Sequence, residues 1–308
     1  MRLGVIDCGT NTFNLLIVDV NDMGHITRVH KERRYVRLGQ EGLSKIGAAP
    51  FQRGIACLAD YKKLIGQLDV KQVKVFGTEA LRRASNRHEF IQAVEHETGI
   101  RIQLITGDEE ARLIHIGVMQ AVPPFEGIGL IMDIGGGSVE FILASEREVY
   151  WAKSFPIGVQ VLFSDFHKED PLPEAQINAM EAFFEKILEP LFKILQVYKP
   201  SVLIGASGSF EVVENLHFGH TDSFLHTVVP SEGFHHMYMG VIRSSLPERY
   251  SMEGLPAERA ELIVVAFVLI HYIIKKTEIP KIITSAYAMK EGILLEMMRK
   301  LPNISNPD

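Results

Sequence analysis

The sequence predicts an α/β protein built from two related domains, and three observations predict it. A length of 308 residues exceeds what one hydrophobic core usually organises. Short apolar stretches rich in β-branched residues alternate with segments of helical periodicity. One short pattern occurs once in each half of the chain.

The repeated pattern is an apolar strand, an Asp-x-Gly turn of small residues, and a second apolar strand. Its first copy covers residues 5–17 with Asp7 before the turn, and its second covers residues 131–143 with Asp133 in the equivalent place. Small residues let the backbone approach a ligand closely, and N–H groups in such a turn can bind phosphate. A carboxylate at the strand end can bind a cation directly or through water. Two facing turns of this kind would hold a phosphate chain that carries Mg²⁺.

Hydrophobic periodicity orders the elements of the first half. Apolar and β-branched runs between small-residue turns predict strands at 2–7, 12–20, 25–38, 73–76 and 100–105. Helical spacing predicts helices at 48–67, 86–98 and 107–120. Paired prolines and a glycine within residues 122–127 break regular structure. We therefore place the first domain at residues 1–122 and the second at residues 123–308.

The second half repeats this order with insertions. Strands are predicted at 128–134, 138–146, 148–157, 201–206 and 281–286. Helices are predicted at 173–196 and 288–300, and most of 207–275 is expected to be helical. The last helix belongs to the second domain or packs back on the first.

Composition narrows the classes of function. The net charge of −6 argues against a general nucleic-acid-binding protein, which needs a basic face. The longest apolar stretch, 262–270, is far shorter than the ~20 residues that cross a bilayer. Cys8 and Cys57 have no paired spacing, which predicts a reducing compartment without disulfides. We expect a cytoplasmic protein that binds neither a nucleic-acid polymer nor a membrane.

The small residues of the two turns are the first candidate phosphate ligands: Gly9, Thr10, Asn11, Gly135, Gly136, Gly137 and Ser138. Each glycine in regular structure costs about 0.5–1 kcal/mol relative to alanine, so a glycine run favours a ligand as its reason. Glu140 follows the second turn on its outgoing strand. It is either an ordinary solvent-facing residue or a contact to water or metal.

Glu110 is the candidate for activating water. Thr106 and Glu109 fit an S/T-x-x-E capping box at the start of a helix, which gives Glu109 a structural role. Glu110 has no such explanation, and a carboxylate at a strand–helix boundary can orient a water and accept its proton. The alternative is a first-turn acid that stabilises the helix dipole.

Two further segments follow predicted strands. Arg82 is placed to bind phosphate through its planar fork of donors, although Arg82 or Arg83 can instead be a solvated surface charge. Ser207 and Gly208 lie between a strand and a helix, where a phosphate or nucleotide can bind at the helix N-terminus. The sequence contains no HExxH, Walker A or G-x-S-x-G pattern.

Together, four segments of this chain resemble the exopolyphosphatase and guanosine pentaphosphate phosphohydrolase family. That family lies within the actin-like, sugar-kinase and Hsp70 ATPase superfamily. The matching segments are residues 6–13, 78–86, 105–113 and 132–140, and residues 154–158 and 285–292 match more loosely. The resemblance extends from residue 3 to about residue 295. It implies two ribonuclease-H-like domains with an active-site cleft between them.

The resemblance also implies roles for individual residues. It assigns water activation to Glu110 and the metal-linked carboxylates to Asp133 and Glu140, with Asp7 nearby. It assigns phosphate binding to the two turns and to Arg82.

The chain departs from the family pattern at two places. Gln160 stands where a basic residue is frequent, and Ser207-Gly208-Ser209 stands where Gly-Gly-Thr is frequent. The second departure puts a nucleotide contact at Ser207 and Gly208 in question. The length resembles that of the short, two-domain members, and the resemblance makes a homodimer plausible.

We therefore expect a Mg²⁺-dependent exopolyphosphatase that releases terminal orthophosphate from inorganic polyphosphate by water attack. Hydrolysis of the 5′ terminal phosphate of guanosine pentaphosphate involves the same anhydride chemistry and is the first alternative. A non-catalytic sensor of polyphosphate or an alarmone is the second, and a kinase of the same superfamily is the third.

Overall fold

The computed structural model describes residues 1–219 and 224–301. Residues 220–223 and 302–308, which we assigned to the second predicted domain, lie outside that part. The chain divides into two compact units. Among the described residues, unit 1 comprises 1–117 together with 289–301, and unit 2 comprises those between 118 and 288.

Unit 1 is built around a mixed sheet. Its strands are β1 (Arg2–Cys8), β2 (Phe13–Val20), β3 (Ile26–Arg34), β4 (Gln72–Gly77) and β5 (Gln103–Leu104). They lie in the order β3-β2-β1-β4-β5, with β2 antiparallel to β1 and with β4 and β5 parallel to it. This order and these directions are those of a ribonuclease-H-like sheet, as predicted.

The helices of unit 1 before the domain boundary are α1 (Ala48–Gln67), α2 (Glu79–Arg83), α3 (Arg87–Thr98) and α4 (Gly107–Val118). α1 has the bounds predicted from the sequence and buries Ile55, Leu58, Tyr61 and Ile65 on one face. The short helix α2 was not predicted. β3 ends before residue 38 because Arg37 has a φ of 53°, which a strand does not accommodate.

Unit 2 repeats the same sheet with one addition. Its strands are β6 (Gly129–Ile134), β7 (Val139–Ala144), β8 (Val149–Phe155), β9 (Val202–Ala206), β10 (His226–Pro230) and β11 (Lys281–Ser285). Their order is β10-β11-β9-β6-β7-β8. From β8 to β11 this matches unit 1 from β3 to β5, and β10 adds an antiparallel edge strand. The prediction of two related α/β domains is confirmed.

The helices of unit 2 are α5 (Val159–Phe166), α6 (Glu174–Ile187), α7 (Glu189–Leu195), α8 (Gly208–Phe218), α9 (Ser231–Arg243), α10 (Leu246–Tyr250) and α11 (Ile263–Thr277), with a 3₁₀ turn at Ala257–Arg259. α11 is buried almost all round and lies in the core. The helical stretch predicted at 173–196 is confirmed, and it is divided into α6 and α7 because Pro190 stands in the first turn of a new helix. The region 207–275 contains the unpredicted strand β10.

The last helix, α12 (Met289–Arg299), packs against β1 and is part of unit 1. A Cβ atom on Gly292 would lie 1.9 Å from the carbonyl oxygen of Leu113, so α12 and α4 approach more closely than a side chain allows. In residues 1–219 and 224–301, none of the helices combines the length and apolar character of a membrane span.

His167 follows α5 and is packed inside unit 2. Its ring stacks on Phe163 with centroids 4.4 Å apart, and its Nε2 lies 3.4 Å from Oδ1 of Asp170 without forming a hydrogen bond. The same Asp170 oxygen accepts a hydrogen bond from the buried Arg249 at 2.7 Å. Burial lowers the pKa of His167, and Arg249 lowers it further, against the opposing charge of Asp170.

The position of His167 predicts part of the acid sensitivity of unit 2. Its pKa is lower in the folded chain than in the unfolded one, so protonation favours unfolding. The stability that it contributes is complete above the ordinary histidine pKa of about 6.5 and is lost as the pH falls from that value through the lower pKa of the folded chain. We expect His167→Gln to flatten the dependence of the unfolding midpoint on pH between about 5 and 8. The exposed His96 on α3 supplies the control, His96→Gln. Equal slopes for the wild type and His167→Gln would contradict the assignment.

Candidate functional site

The two Asp-x-Gly turns have the same backbone geometry. In unit 1 the N–H of Gly9 donates to the carbonyl of Thr12 at 3.0 Å. In unit 2 the N–H of Gly135 donates to the carbonyl of Ser138 at 2.9 Å. Each turn closes the hairpin at the carboxyl end of the central strand, β1 or β6. The pattern that repeats in the sequence therefore repeats in the structure.

Both turns are held by amides of the segment that packs beside them. In unit 1 the carbonyls of Thr10 and Asn11 accept hydrogen bonds from residues 39 and 37 at 3.2 and 2.8 Å. In unit 2 the carbonyls of Gly135 and Gly136 accept from residues 159 and 160 at 3.0 and 2.8 Å. Because these carbonyls are engaged, the turns keep a fixed shape. A preformed turn of small residues is suited to binding an anion through its N–H groups.

Asp7 lies at the end of β1, directly opposite Asn14 in the hairpin. Its Oδ2 accepts a hydrogen bond from Nδ2 of Asn14 at 3.2 Å, while its buried Oδ1 has no partner within the described part of the chain. Oδ1 of Asn11 is also buried and unpartnered among the described residues. Burial raises the pKa of Asp7, against the positive charge of Lys290 and the Asn14 hydrogen bond. Two oxygens are thus held ready for a cation or a hydrogen-bond donor.

Glu110 lies in the first turn of α4 and is buried, with 8% of its surface exposed. Its Oε2 accepts a hydrogen bond of 2.6 Å from Nη1 of Arg82, and this ion pair is largely shielded from solvent. The same Nη1 also donates to the carbonyl of Ile105 at 3.0 Å. Arg82 lies in α2, which begins just beyond the end of β4. β4 pairs with β1 beside the turn. The structure therefore brings Glu110, Arg82 and Asp7 to the same edge of the unit 1 sheet.

Glu79 fixes the other side of the Arg82 guanidinium. Its Oε2 accepts from Nε at 3.1 Å and from Nη2 at 2.8 Å. These bonds and the two from Nη1 engage all but one of the N–H groups of the guanidinium. Although burial alone would lower the pKa of Arg82, Glu110 and Glu79 raise it, so the side chain stays cationic. Sequence reasoning missed Glu79, for which the i, i+3 spacing to Arg82 was the available signal.

Glu109 has the structural position that the sequence predicted. Its N–H donates to Oγ1 of Thr106 at 3.2 Å, which is half of a capping box. Its carboxylate accepts two hydrogen bonds of 2.8 Å from Arg112, on the exposed side of α4. Adjacent glutamates therefore have different surroundings, and Glu110 is the buried one.

In unit 2, Asp133 and Glu140 lie directly opposite each other on β6 and β7, so their side chains share one face of the sheet. Both are buried. Oε1 of Glu140 accepts hydrogen bonds from Oγ of Ser138 at 2.7 Å and from Oγ of Ser154 at 2.6 Å. These bonds fix the orientation of a carboxylate next to the glycine turn. Ser154 belongs to the segment 154–158, which resembles the family pattern only loosely, and its contact with Glu140 was not predicted.

Ser207 and Gly208 follow β9, which pairs with β6 beside the second turn. Ser207 has a φ of 68°, a region that a non-glycine residue adopts at a cost of about 1–3 kcal/mol. A Cβ atom on Gly208 would lie 1.7 Å from Nη2 of Arg259, so the guanidinium covers this glycine. Arg259 was not singled out from the sequence, and no motif marked it.

Gly158 packs directly against the backbone of the second turn. A Cβ atom there would lie 2.4 Å from the carbonyl carbon of Gly136 and 2.5 Å from the nitrogen of Gly137. Only glycine lets the start of α5 approach this backbone.

This contact predicts the effect of Gly158→Ala. The added methyl group must displace the turn, and we expect a loss of about 1–3 kcal/mol in the free energy of unfolding, measured by chemical denaturation. Gly240, in α9, has open space around its Cβ position. The control Gly240→Ala should gain about 0.5–1 kcal/mol. Wild-type stability of Gly158→Ala would mean that the turn has room for the methyl group.

The model of the Ppx/GppA phosphatase family matches residues 16–301. "Exopolyphosphatase 1" of Mycobacterium tuberculosis is 26% identical over 305 residues, which cover 97% of this chain and 88% of that protein. "Guanosine-5'-triphosphate,3'-diphosphate pyrophosphatase" of Vibrio vulnificus is 28% identical over 301 residues, covering 96% of this chain and 59% of that longer protein.

Solved structures give the same family. The crystal structure of an exopolyphosphatase from Cytophaga hutchinsonii superposes with a TM-score of 0.93 at 34% identity, covering 99% of this chain and 100% of that one. The Aquifex aeolicus member of the Ppx/GppA family superposes with a TM-score of 0.81 at 27% identity, covering 97% and 98%. With the duplicated turns and the strand order in place, these matches confirm the resemblance seen in the sequence: the chain belongs to the Ppx/GppA phosphatase family.

Proposed function

We propose that this protein is a Mg²⁺-dependent exopolyphosphatase that releases terminal orthophosphate from inorganic polyphosphate by water attack. The observation that carries the proposal is the buried pair of Glu110 and Arg82 at the sheet edge that also holds the first turn. A fixed carboxylate beside an anion-binding turn is the arrangement that water attack on a phosphoryl group requires.

In this proposal each group has one task. Glu110 orients the attacking water and accepts its proton. Arg82 holds Glu110, and we propose that its remaining N–H donates to phosphate. The turns Gly9–Asn11 and Gly135–Ser138 bind phosphate oxygens through backbone amides. Most of the rate gain then comes from positioning and charge stabilisation.

The donor set fits Mg²⁺. The buried, unpartnered oxygens of Asp7 and Asn11 are hard ligands of the kind that Mg²⁺ prefers. Among the described side chains, no three of His, Cys, Asp and Glu form a ready metal cluster. That agrees with an ion held by one or two carboxylates, water and substrate phosphate. We propose that these one or two carboxylates are drawn from Asp7, Asp133 and Glu140. When bound, Mg²⁺ neutralises phosphate charge as the leaving oxygen develops it.

Similarity to the Cytophaga hutchinsonii exopolyphosphatase, at 34% identity, supports polyphosphate as the substrate. Similarity to the Vibrio vulnificus pyrophosphatase, at 28%, supports guanosine pentaphosphate as the second candidate. Mg²⁺ dependence, a cytoplasmic location and a homodimer remain predictions.

A phosphate-release assay tests the function. The purified protein is given polyphosphates of graded length, guanosine pentaphosphate and ATP, each with Mg²⁺ and with a chelator. Release from polyphosphate that stops with the chelator supports the proposal. Faster release from guanosine pentaphosphate would favour the second candidate, and binding of polyphosphate without release would favour a sensor.

Replacing Glu110 tests the proposed mechanism. Glu110→Gln keeps the size of the side chain and a hydrogen-bond acceptor for Arg82, but it removes the base. We expect turnover to fall by ~10²–10⁴-fold while polyphosphate binding is nearly unchanged. The control is Glu109→Gln, at the neighbouring exposed carboxylate, which should keep wild-type turnover. Full activity of Glu110→Gln would remove Glu110 from the mechanism.

Glu79 is expected to act through Arg82 as a positioning residue. Glu79→Ala removes two charge-assisted hydrogen bonds from the guanidinium and frees it to move away from Glu110. Loss of these hydrogen bonds should raise the activation free energy by about 1.5–3 kcal/mol, which lowers kcat roughly 10–100-fold. KM should change much less than kcat, because the backbone amides of the two turns supply most of the proposed phosphate contacts.

Glu79→Gln, which keeps one acceptor, should recover part of kcat. A purely structural role would instead lower the unfolding midpoint and leave the kcat of the folded fraction intact.

A further inference from the structure

Two histidines of unit 2 face each other away from the turns and carboxylates described above. We propose that His235 and His271 form a binding site for a divalent transition-metal ion such as Ni²⁺ or Zn²⁺. Nδ1 of His235, on α9, lies 3.2 Å from Nε2 of His271, on α11. The pair is independent of the proposed hydrolase function.

The separation of the two nitrogens suits shared coordination. Imidazole nitrogens bind Zn²⁺ at about 2.0–2.1 Å, which places two of them about 3.3 Å apart in a tetrahedral site. At right angles, as in square-planar or octahedral sites, the separation is about 2.9 Å. The observed 3.2 Å lies between these values. An ion can therefore replace the shared proton with small movements of both rings.

The fold holds the ring of His271, while His235 lies opposite it at an exposed position of α9. His271 stacks on Tyr238 with centroids 4.0 Å apart and an angle of 3° between the planes. Tyr238 is itself buried, with 6% of its surface exposed. α9 and α11 pack against each other, so the two ligands come from rigid, adjacent elements. Preorganised ligands lose little freedom when an ion binds.

The nearby charges are paired with each other. Glu181 on α6 and Lys275 on α11 both act electrostatically on His271 with opposite sign, and Oε2 of Glu181 lies 3.3 Å from Nζ of Lys275. Imidazole favours Ni²⁺, Cu²⁺ and Zn²⁺ over Mg²⁺. With two protein ligands, the remaining positions on the ion belong to water.

A hydrogen bond between the rings would also explain their contact, and metal titration separates the two explanations. Tag-free protein, treated with a chelator and transferred to a non-coordinating buffer, is titrated with NiCl₂ and with ZnCl₂ in a calorimeter. The variants are His235→Ala, His271→Ala and the control His236→Ala. His236 is adjacent and exposed, and its Nδ1 faces the carbonyl of Glu232.

We expect the wild type and His236→Ala to bind one equivalent that both other variants bind at least tenfold more weakly. Metal at 100-fold excess over its Kd should raise the unfolding midpoint of the wild type by roughly 5 °C. The midpoints of His235→Ala and His271→Ala should not rise. A metal equivalent that the wild type and all three variants bind equally well lies at a different site. The proposal is overturned if the wild type binds no histidine-dependent equivalent, or if His236→Ala loses it as the other variants do.

Discussion

One backbone hydrogen bond organises the site region of each unit. A glycine N–H at the carboxyl end of the central strand donates to the carbonyl three residues later. A Cβ atom on Gly9 or Gly135 would lie 3.0 or 3.1 Å from that carbonyl oxygen, so the turn is tight enough to favour glycine. The bond fixes the register of the hairpin. That register sets Asp7 opposite Asn14 and Asp133 opposite Glu140.

The two copies have diverged around this shared frame. In unit 1 the residue opposite the aspartate is an amide, Asn14, which in turn accepts from Arg33 at 3.2 Å. In unit 2 it is a carboxylate, Glu140, and two serine hydroxyls hold one of its oxygens. In unit 1 the cross-strand pair therefore contains one acid, Asp7, whereas in unit 2 the equivalent pair contains two acids on one face of the sheet. Duplication thus supplied the turns, and substitution of their neighbours made their electrostatics different.

Sequence reasoning located the elements that are determined by the residues within their own segment. The turns, helix α1 and the central strands follow from small residues and clear periodicity, and the structure has them where they were expected. It failed where tertiary contacts decide. β10 forms because β11 offers an edge to pair with, which no pattern within residues 226–230 announces. Arg259 is positioned against Gly208, which only the folded chain brings near it, whereas Glu79 is three residues from its partner Arg82 and could have been identified from that spacing.

The return of α12 to β1 makes unit 1 discontinuous along the chain. On the ribosome, the strands and helices of residues 1–117 emerge before unit 2, and α12 emerges only after it. Lys290, whose charge acts on Asp7, arrives with that helix. Completion of the acidic site in unit 1 is therefore tied to synthesis of all of unit 2. A nascent chain that ends before residue 290 lacks the cation that offsets the desolvated carboxyl group of Asp7.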